Sequence, residues 1–358
     1  MGPHGDTFAA TMKDLWMTRF GRRNPAYWAL LAAGLSLSIA ACAATEATPK
    51  EPLVADPPLS GAAALEEGVA ATELSRGIAY VKNEKFEEAK GHFEKALEAQ
   101  PSSVEAAFYL GVAREQTGDR MGAEDAYKRA LASDPKSAEA AGNLSALYLD
   151  EPSRPADAIG VLEPAVAASP GNAQLLQNLA YAHSLQGDVE GASKAYDAAI
   201  AKADSADLRF AYGSMLFEAK KLDRAAIQLK KALELTKDDV PTLATLGRML
   251  GHAGAFGDCV AALDRAIKAK ADDPELFVRR GVCKHELEDE RGARADYEAA
   301  IKVAPKFAAA HYYLGLSLLA DKRRLQAIKE LELAVSLGAE TSIGKLATEK
   351  LAGLKKKK

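Results

Sequence analysis

The chain has 358 residues, 48% of them apolar and 27% charged, with a formal net charge of −4. That length and apolar content allow a sizeable core, and the abundance of Ala and Leu favours helices. Three cysteines are too few for a disulfide framework, and the acidic balance argues against nucleic acid as a partner, because phosphate neutralisation needs clustered Lys and Arg.

Residues 1–16 mix Asp6, Lys13 and Asp14 without periodicity, and translation is expected to begin at Met17. From there Arg19, Arg22 and Arg23 form a positive stretch, Tyr27 to Ala41 is uncharged and apolar, and small residues follow. Those three parts describe a secretory signal peptide. Its end, Ile39-Ala40-Ala41-Cys42, resembles a bacterial lipobox. The resemblance implies that Cys42 is acylated and becomes the first residue of the mature chain. Two alternatives stay open: an ordinary signal with a chance cysteine, and an uncleaved span over residues 26–45. Each buried methylene contributes about 0.8 kcal/mol, so two or three acyl chains would hold a soluble domain firmly. Ala43 rather than Asp after the cysteine implies, by the same resemblance, the outer membrane facing the periplasm. Residues 43–66 carry Pro49, Pro52, Pro57 and Pro58 and read as an extended tether.

Residues 67–340 repeat. In Val104 to Pro135 an amphipathic stretch with Leu110-Gly111 leads to a turn at Gly118-Asp119, then to Ala123, Tyr127, Ala130 and the closing Pro135. The small residue of the second helix recurs at Ala89, Ala123, Ala158, Ala192, Ala225, Cys259, Ala293 and Ala327, in steps of 33 to 35. Four residues later comes Phe93, Tyr127, Leu162, Tyr196, Leu229, Leu263, Tyr297 or Leu331, and three after that always an alanine. The first helix carries Gly77, Gly111, Ser145, Ala180, Gly213, Gly247, Gly281 or Gly315. Small residues let helix axes approach to about 8–10 Å. On that ground Gly111 is expected to cross its partner helix at Ala123, with Tyr127 and Ala130 facing the next repeat.

The pattern resembles the tetratricopeptide repeat. The resemblance implies an all-α fold, a right-handed α-α superhelix of eight helix-turn-helix repeats, closed by a capping helix within residues 341–358. That helix presents Ile343, Leu346, Ala347, Leu351 and Leu354, ahead of a lysine tail. Repeat three departs from the pattern with Glu151-Pro152-Ser153-Arg154-Pro155 in its turn.

No phosphate loop, metalloprotease, nucleophile-elbow or dinucleotide motif stands in the chain. Catalysis, a cofactor, a metal and a small-molecule substrate are therefore not expected. His252 and His285 near Glu286 read as solvated polar residues. Cys259 and Cys283 fall on neighbouring antiparallel helices. A disulfide is sterically open there, and so is a pair of buried thiols. Function is assigned to the face built from the first helix of each repeat. The positions that the resemblance maps to this groove are Phe108, Tyr109, Asn143, Gln177, Asn178, Tyr181, Phe210, Arg248, Arg279 and Tyr312. Aromatics there anchor an extended peptide or helix, and Arg248 with Arg279 can grip a carboxylate. The clamp used for chaperone tails fails in repeat one, where Leu74 and Ile78 stand for Lys and Asn.

The sequence thus points to a membrane-anchored scaffold or assembly factor for other envelope proteins, similar in architecture to the pilotin lipoproteins of type IV pili. The alternative is an adaptor that delivers substrates to an envelope protease or cell-wall enzyme.

Overall fold

The computed structural model describes residues 61–150, 154–237, 239–270 and 272–355. Cys42 and the proline-rich residues 43–60 lie outside them. Every element among the described residues is a helix or a turn.

The repeats are helix pairs. Repeat one joins α1 (Gly61–Lys82) to α2 (Phe86–Ala99), repeat two α3 (Val104–Gln116) to α4 (Arg120–Ser133), and repeat three α5 (Ala138–Leu149) to α6 (Pro155–Ala168). Next come α7 (Ala173–Gln186) with α8 (Val189–Lys202), α9 (Ala206–Glu218) with α10 (Leu222–Leu235), and α11 (Val240–His252) with α12 (Phe256–Ala269). Then follow α13 (Pro274–Glu286) with α14 (Glu290–Val303), α15 (Ala308–Ala320) with α16 (Arg324–Gly338), and the closing α17 (Ser342–Lys355). The chain divides into two compact units, 1–182 and 183–358.

Helix α1 opens at Gly61, so the last six residues of the stretch read as a tether, 61–66, are helical. They are Gly-Ala-Ala-Ala-Leu-Glu, free of proline and rich in strong helix formers.

Local chemistry sets the helix starts. Ser103, Asp119, Ser137, Asp188, Ser205 and Asp239 each accept a hydrogen bond from a backbone N–H in the first turn that follows. Such caps are worth about 1 kcal/mol apiece. The turn inside a repeat needs one left-handed residue. Gly118 serves at φ 84°, but Lys220 and Glu288 take the same conformation at 59° and 61°.

The core follows the repeat register. The large residue of each second helix, from Phe93 to Leu331, is buried in all eight repeats. Tyr127, expected to face the next repeat, also lays its ring against Gly111 of its own repeat and fills the space that a Cβ would take. Leu229 over Gly213 and Leu263 over Gly247 repeat the arrangement, each 2.7 Å from the place of an added Cβ. Tyr127 also serves both neighbours. Its hydroxyl donates to Glu115 of its own repeat at 2.8 Å, and accepts from Asn143 of the next at 3.3 Å. The second helix therefore occupies the crossing with a large side chain, and the first helix supplies the missing volume.

The capping helix buries Ala347 and Leu351 against Leu331 and Ala334. Leu346, expected on the same face, stays exposed.

Candidate partner-binding face

In unit 1–182, several side chains mapped to the groove are spent on packing. Phe108 and Tyr109 of α3 are buried. Tyr109 stacks on Phe93 at 5.8 Å, and Phe108 meets Tyr127 at 6.1 Å. Burial raises the Tyr109 hydroxyl above its usual range, helped by Glu105 and Glu139. On α7, Asn178 is buried; it donates to Ser145 Oγ at 3.3 Å and accepts from Gln174 at 2.9 Å. Tyr181 is also buried, and its hydroxyl is pushed up to about 12, mainly by burial and further by Asp150. Asn143 and Gln177 keep partial access to solvent.

In unit 183–358, Phe210 is buried on α9. Tyr312 is half-buried and packs on the cluster under the capping helix. Arg248 on α11 is exposed and Arg279 on α13 is partly so. These two arginines line one cavity of about 140 Å3, with Thr245, Asp273 and Glu275 on its walls. Although Arg248 is exposed to solvent, the walls of the recess partly desolvate its guanidinium and lower its pKa, and Arg279 lowers it further, against the pull of Glu218 and Glu275. His252 is held below its usual value by burial first, then by Arg248, Arg279 and Lys220. His252 sets its ring edge-on to Phe217 at 6.3 Å, and His285 pairs with Glu290 at 2.7 Å. Among the described residues no group of His, Cys, Asp and Glu is arranged to hold a metal ion.

Cys259 and Cys283 are joined as a disulfide between α12 and α13. Both are buried, and Gly251 of α11 backs onto them: an added Cβ there would lie 3.1 Å from Cys283 Sγ.

Polar contacts that the sequence reading passed over tie the first and second helices of a repeat. His92 meets Glu73 at 2.7 Å, Gln228 accepts from Arg209 at 2.7 Å, and Glu330 meets His311 at 2.7 Å. Each pair spans 19 residues. A readable signal existed: where the second-helix position is apolar, at Ala126, Ala195 or Ala262, the residue 19 earlier is Ala107, Leu176 or Leu243. In these six repeats the two sites are polar together or apolar together, because an unpaired buried polar group is costly; repeat seven departs, setting Asp296 against Phe277 and meeting the carboxylate from Arg280 and Lys284 instead.

The tetratricopeptide repeat description matches residues 74–138, 113–173 and 286–340, and a second form of the same repeat matches 151–211. These spans cover more than half of the chain. The chain belongs to the tetratricopeptide repeat family. Among curated proteins, the tetratricopeptide chain is 26% identical over 223 residues to the "Protein CTR9 homolog" of Arabidopsis thaliana, covering 59% of this chain and 20% of that protein. It is 32% identical over 83 residues to the "E3 ubiquitin-protein ligase CHIP" of the same plant, covering 23% and 30%. The chain thus spans less than a third of the length of either relative. A tetratricopeptide repeat protein from Parabacteroides merdae is similar in structure, with 14% identity, 70% of this chain and 99% of that chain covered, and a TM-score of 0.48. The tetratricopeptide fold is all-α and supports a protein–protein interaction scaffold.

Proposed function

We propose that this protein is a lipid-anchored scaffold of the bacterial envelope that holds a peptide or helix of an envelope partner on the first-helix face of its repeats. The observation that carries the reading is a division of labour within the repeats. The large second-helix side chains are buried in all eight repeats, while Asn143, Gln177, Arg248, Arg279 and Tyr312 of the first helices keep access to solvent. Anchoring is supported by the basic stretch at Arg19, Arg22 and Arg23, the apolar run to Ala41, and Cys42 after Ile39-Ala40-Ala41. Export is supported by the Cys259–Cys283 disulfide, since such bonds persist in oxidising compartments. The likeness to pilotin lipoproteins and Ala43 after the cysteine favour the outer membrane and an assembly partner there. The adaptor role rests on no further observation.

Two experiments test the halves separately. Mass spectrometry of the mature chain should find Cys42 acylated as its first residue, and Cys42→Ser should abolish both the processing and the acylation; normal processing of the variant would end the anchoring half. A photoreactive residue at Gln177, compared with one at the second-helix position Glu298, should crosslink a defined partner only from Gln177. Equal yields from both would end the scaffold half.

A further inference from the structure

The last hairpin breaks a charge pattern that the others keep. In repeats one to seven the second helix has Asp or Glu at its cap or in its first turn, the sign that a helix dipole favours there. In repeat eight α16 has no acid in its first turn, and Lys322, Arg323 and Arg324 stand at its start. All three are exposed. Among the described residues Lys322 and Arg323 form no ion pair, and the adjacent Asp321 is taken by Arg294 of α14. Helix formation gains nothing from cations so placed.

One contact extends the patch. Arg324 donates to the Leu354 carbonyl, which sets the start of α16 beside the end of α17. Lys350 is exposed one turn before Leu354, and Lys355 closes the helix. Glu349, the acid of α17, acts on Tyr312 of α15. In the sequence Lys356, Lys357 and Lys358 follow. Amid these cations Leu325 is 85% exposed, more than any other large apolar side chain among the described residues.

These features discriminate between anionic partners. Every side chain from Asp321 to Gln326 lies open to solvent, so nothing encloses a small anion. A hydrophilic polyanion would leave Leu325 in water. An anionic bilayer satisfies both features: its headgroups meet the cations, and an apolar side chain at that level enters the boundary between headgroups and acyl chains.

We infer that the edge formed by Lys322, Arg323, Arg324, Leu325 and Lys350 docks on the anionic surface of a lipid bilayer. This contact is separate from the acyl anchor proposed at Cys42, and the test keeps the two apart.

The full chain with Cys42→Ser and Leu325→Cys is labelled at position 325 with nitrobenzoxadiazole, a dye whose emission reports its own surroundings. It is mixed with vesicles of phosphatidylcholine alone, or of phosphatidylcholine and phosphatidylglycerol in equal parts. The emission should rise and move to the blue only with phosphatidylglycerol, and added salt should reverse the change. The apparent partition coefficient from a titration should fall about fivefold for each of Lys322→Gln and Arg323→Gln. The same dye at Met121→Cys, a position 82% exposed on α4, should not respond. Circular dichroism melting verifies that each variant is folded. An equal response to both vesicles, an equal response from position 121, or no loss when Lys322→Gln and Arg323→Gln are combined overturns the inference. A rise in dye anisotropy with soluble polyglutamate, while vesicles leave the emission unchanged, would replace the bilayer with a polyanion. Because Cys42 is absent throughout, any of these failures leaves the acyl anchor standing.

Discussion

Arg280 of α13 grips the carboxylate of Asp296 on α14, with Nε donating to Oδ2 at 2.9 Å and a second nitrogen to Oδ1. Asp296 is only 3% exposed, and Lys284 adds a third contact at 2.9 Å. A carboxylate this deep is tolerable only because its lone pairs are met by two cations. Removing it would strand those cations in a half-buried cleft. Asp296→Ala is expected to destabilise the protein by about 3 kcal/mol. The urea midpoint, followed by circular dichroism, measures this; a midpoint within error of the parent would refute the role given to the pair.

Gly247 and Leu263 make the corresponding apolar contact in repeat six. A Cβ on Gly247 would stand 2.7 Å from Leu263 Cγ. Gly247→Val should therefore lower stability by about 1–3 kcal/mol through overpacking. Pairing it with Leu263→Ala should recover part of that loss, since the clash is removed. Thermal melts of the two single variants and the double variant give the coupling, and strict additivity would contradict the contact.

Glu124 accepts two hydrogen bonds from Arg154, at 2.7 and 3.1 Å, one from Lys128 at 2.7 Å and one from the Tyr148 hydroxyl at 3.1 Å. The Arg154 bonds are the main reason that its pKa falls from 4.5 to about 2. The folded value lies below the unfolded one, so the stabilisation is complete above about pH 4.5 and fades as pH falls toward 2. After allowance for solvent screening, Glu124→Gln should cost about 1–2 kcal/mol at neutral pH. Stability curves of parent and variant, measured at pH 7, 4.5 and 2.5, should converge at the acid end. A gap independent of pH would rule out the carboxylate as its source.

The Cys259–Cys283 bond closes a loop of sequence separation 24. By chain entropy such a loop contributes about 3 kcal/mol. Cys259→Ala with Cys283→Ala should lose roughly that amount, and dithiothreitol should lower the melting temperature of the parent but not of the double variant. Alkylation of the unreduced protein should label neither residue; labelling of both would show that the bond is absent.

The repeat itself was legible residue by residue. Ala at 123, 158 and 192 and a large side chain four positions on follow from local spacing, and spacing is a property of one dimension. So were the position of the capping helix and the neighbourhood of Cys259 and Cys283. Less legible was the reach of the large second-helix side chain: the ring of Tyr127 lies back on Gly111 of its own repeat, a contact that register alone does not show.

The groove was legible only as a face. Phe108, Tyr109, Asn178, Tyr181 and Phe210 belong to it by register, yet neighbouring helices cover them. Whether a first-helix side chain is left for a partner depends on how closely the next hairpin packs, and no periodicity encodes that distance. Likewise every arginine in the sequence looks alike; among the described residues five on the first helices pair with an acid and Arg248 does not, which only the placement of side chains in space could decide. Sequence alone therefore determined that this protein is a stack of helix pairs, because close packing demands small residues at fixed intervals. The tertiary structure decided which side chains that stack consumes and which it leaves over, because burial and charge pairing are set by neighbours distant along the chain.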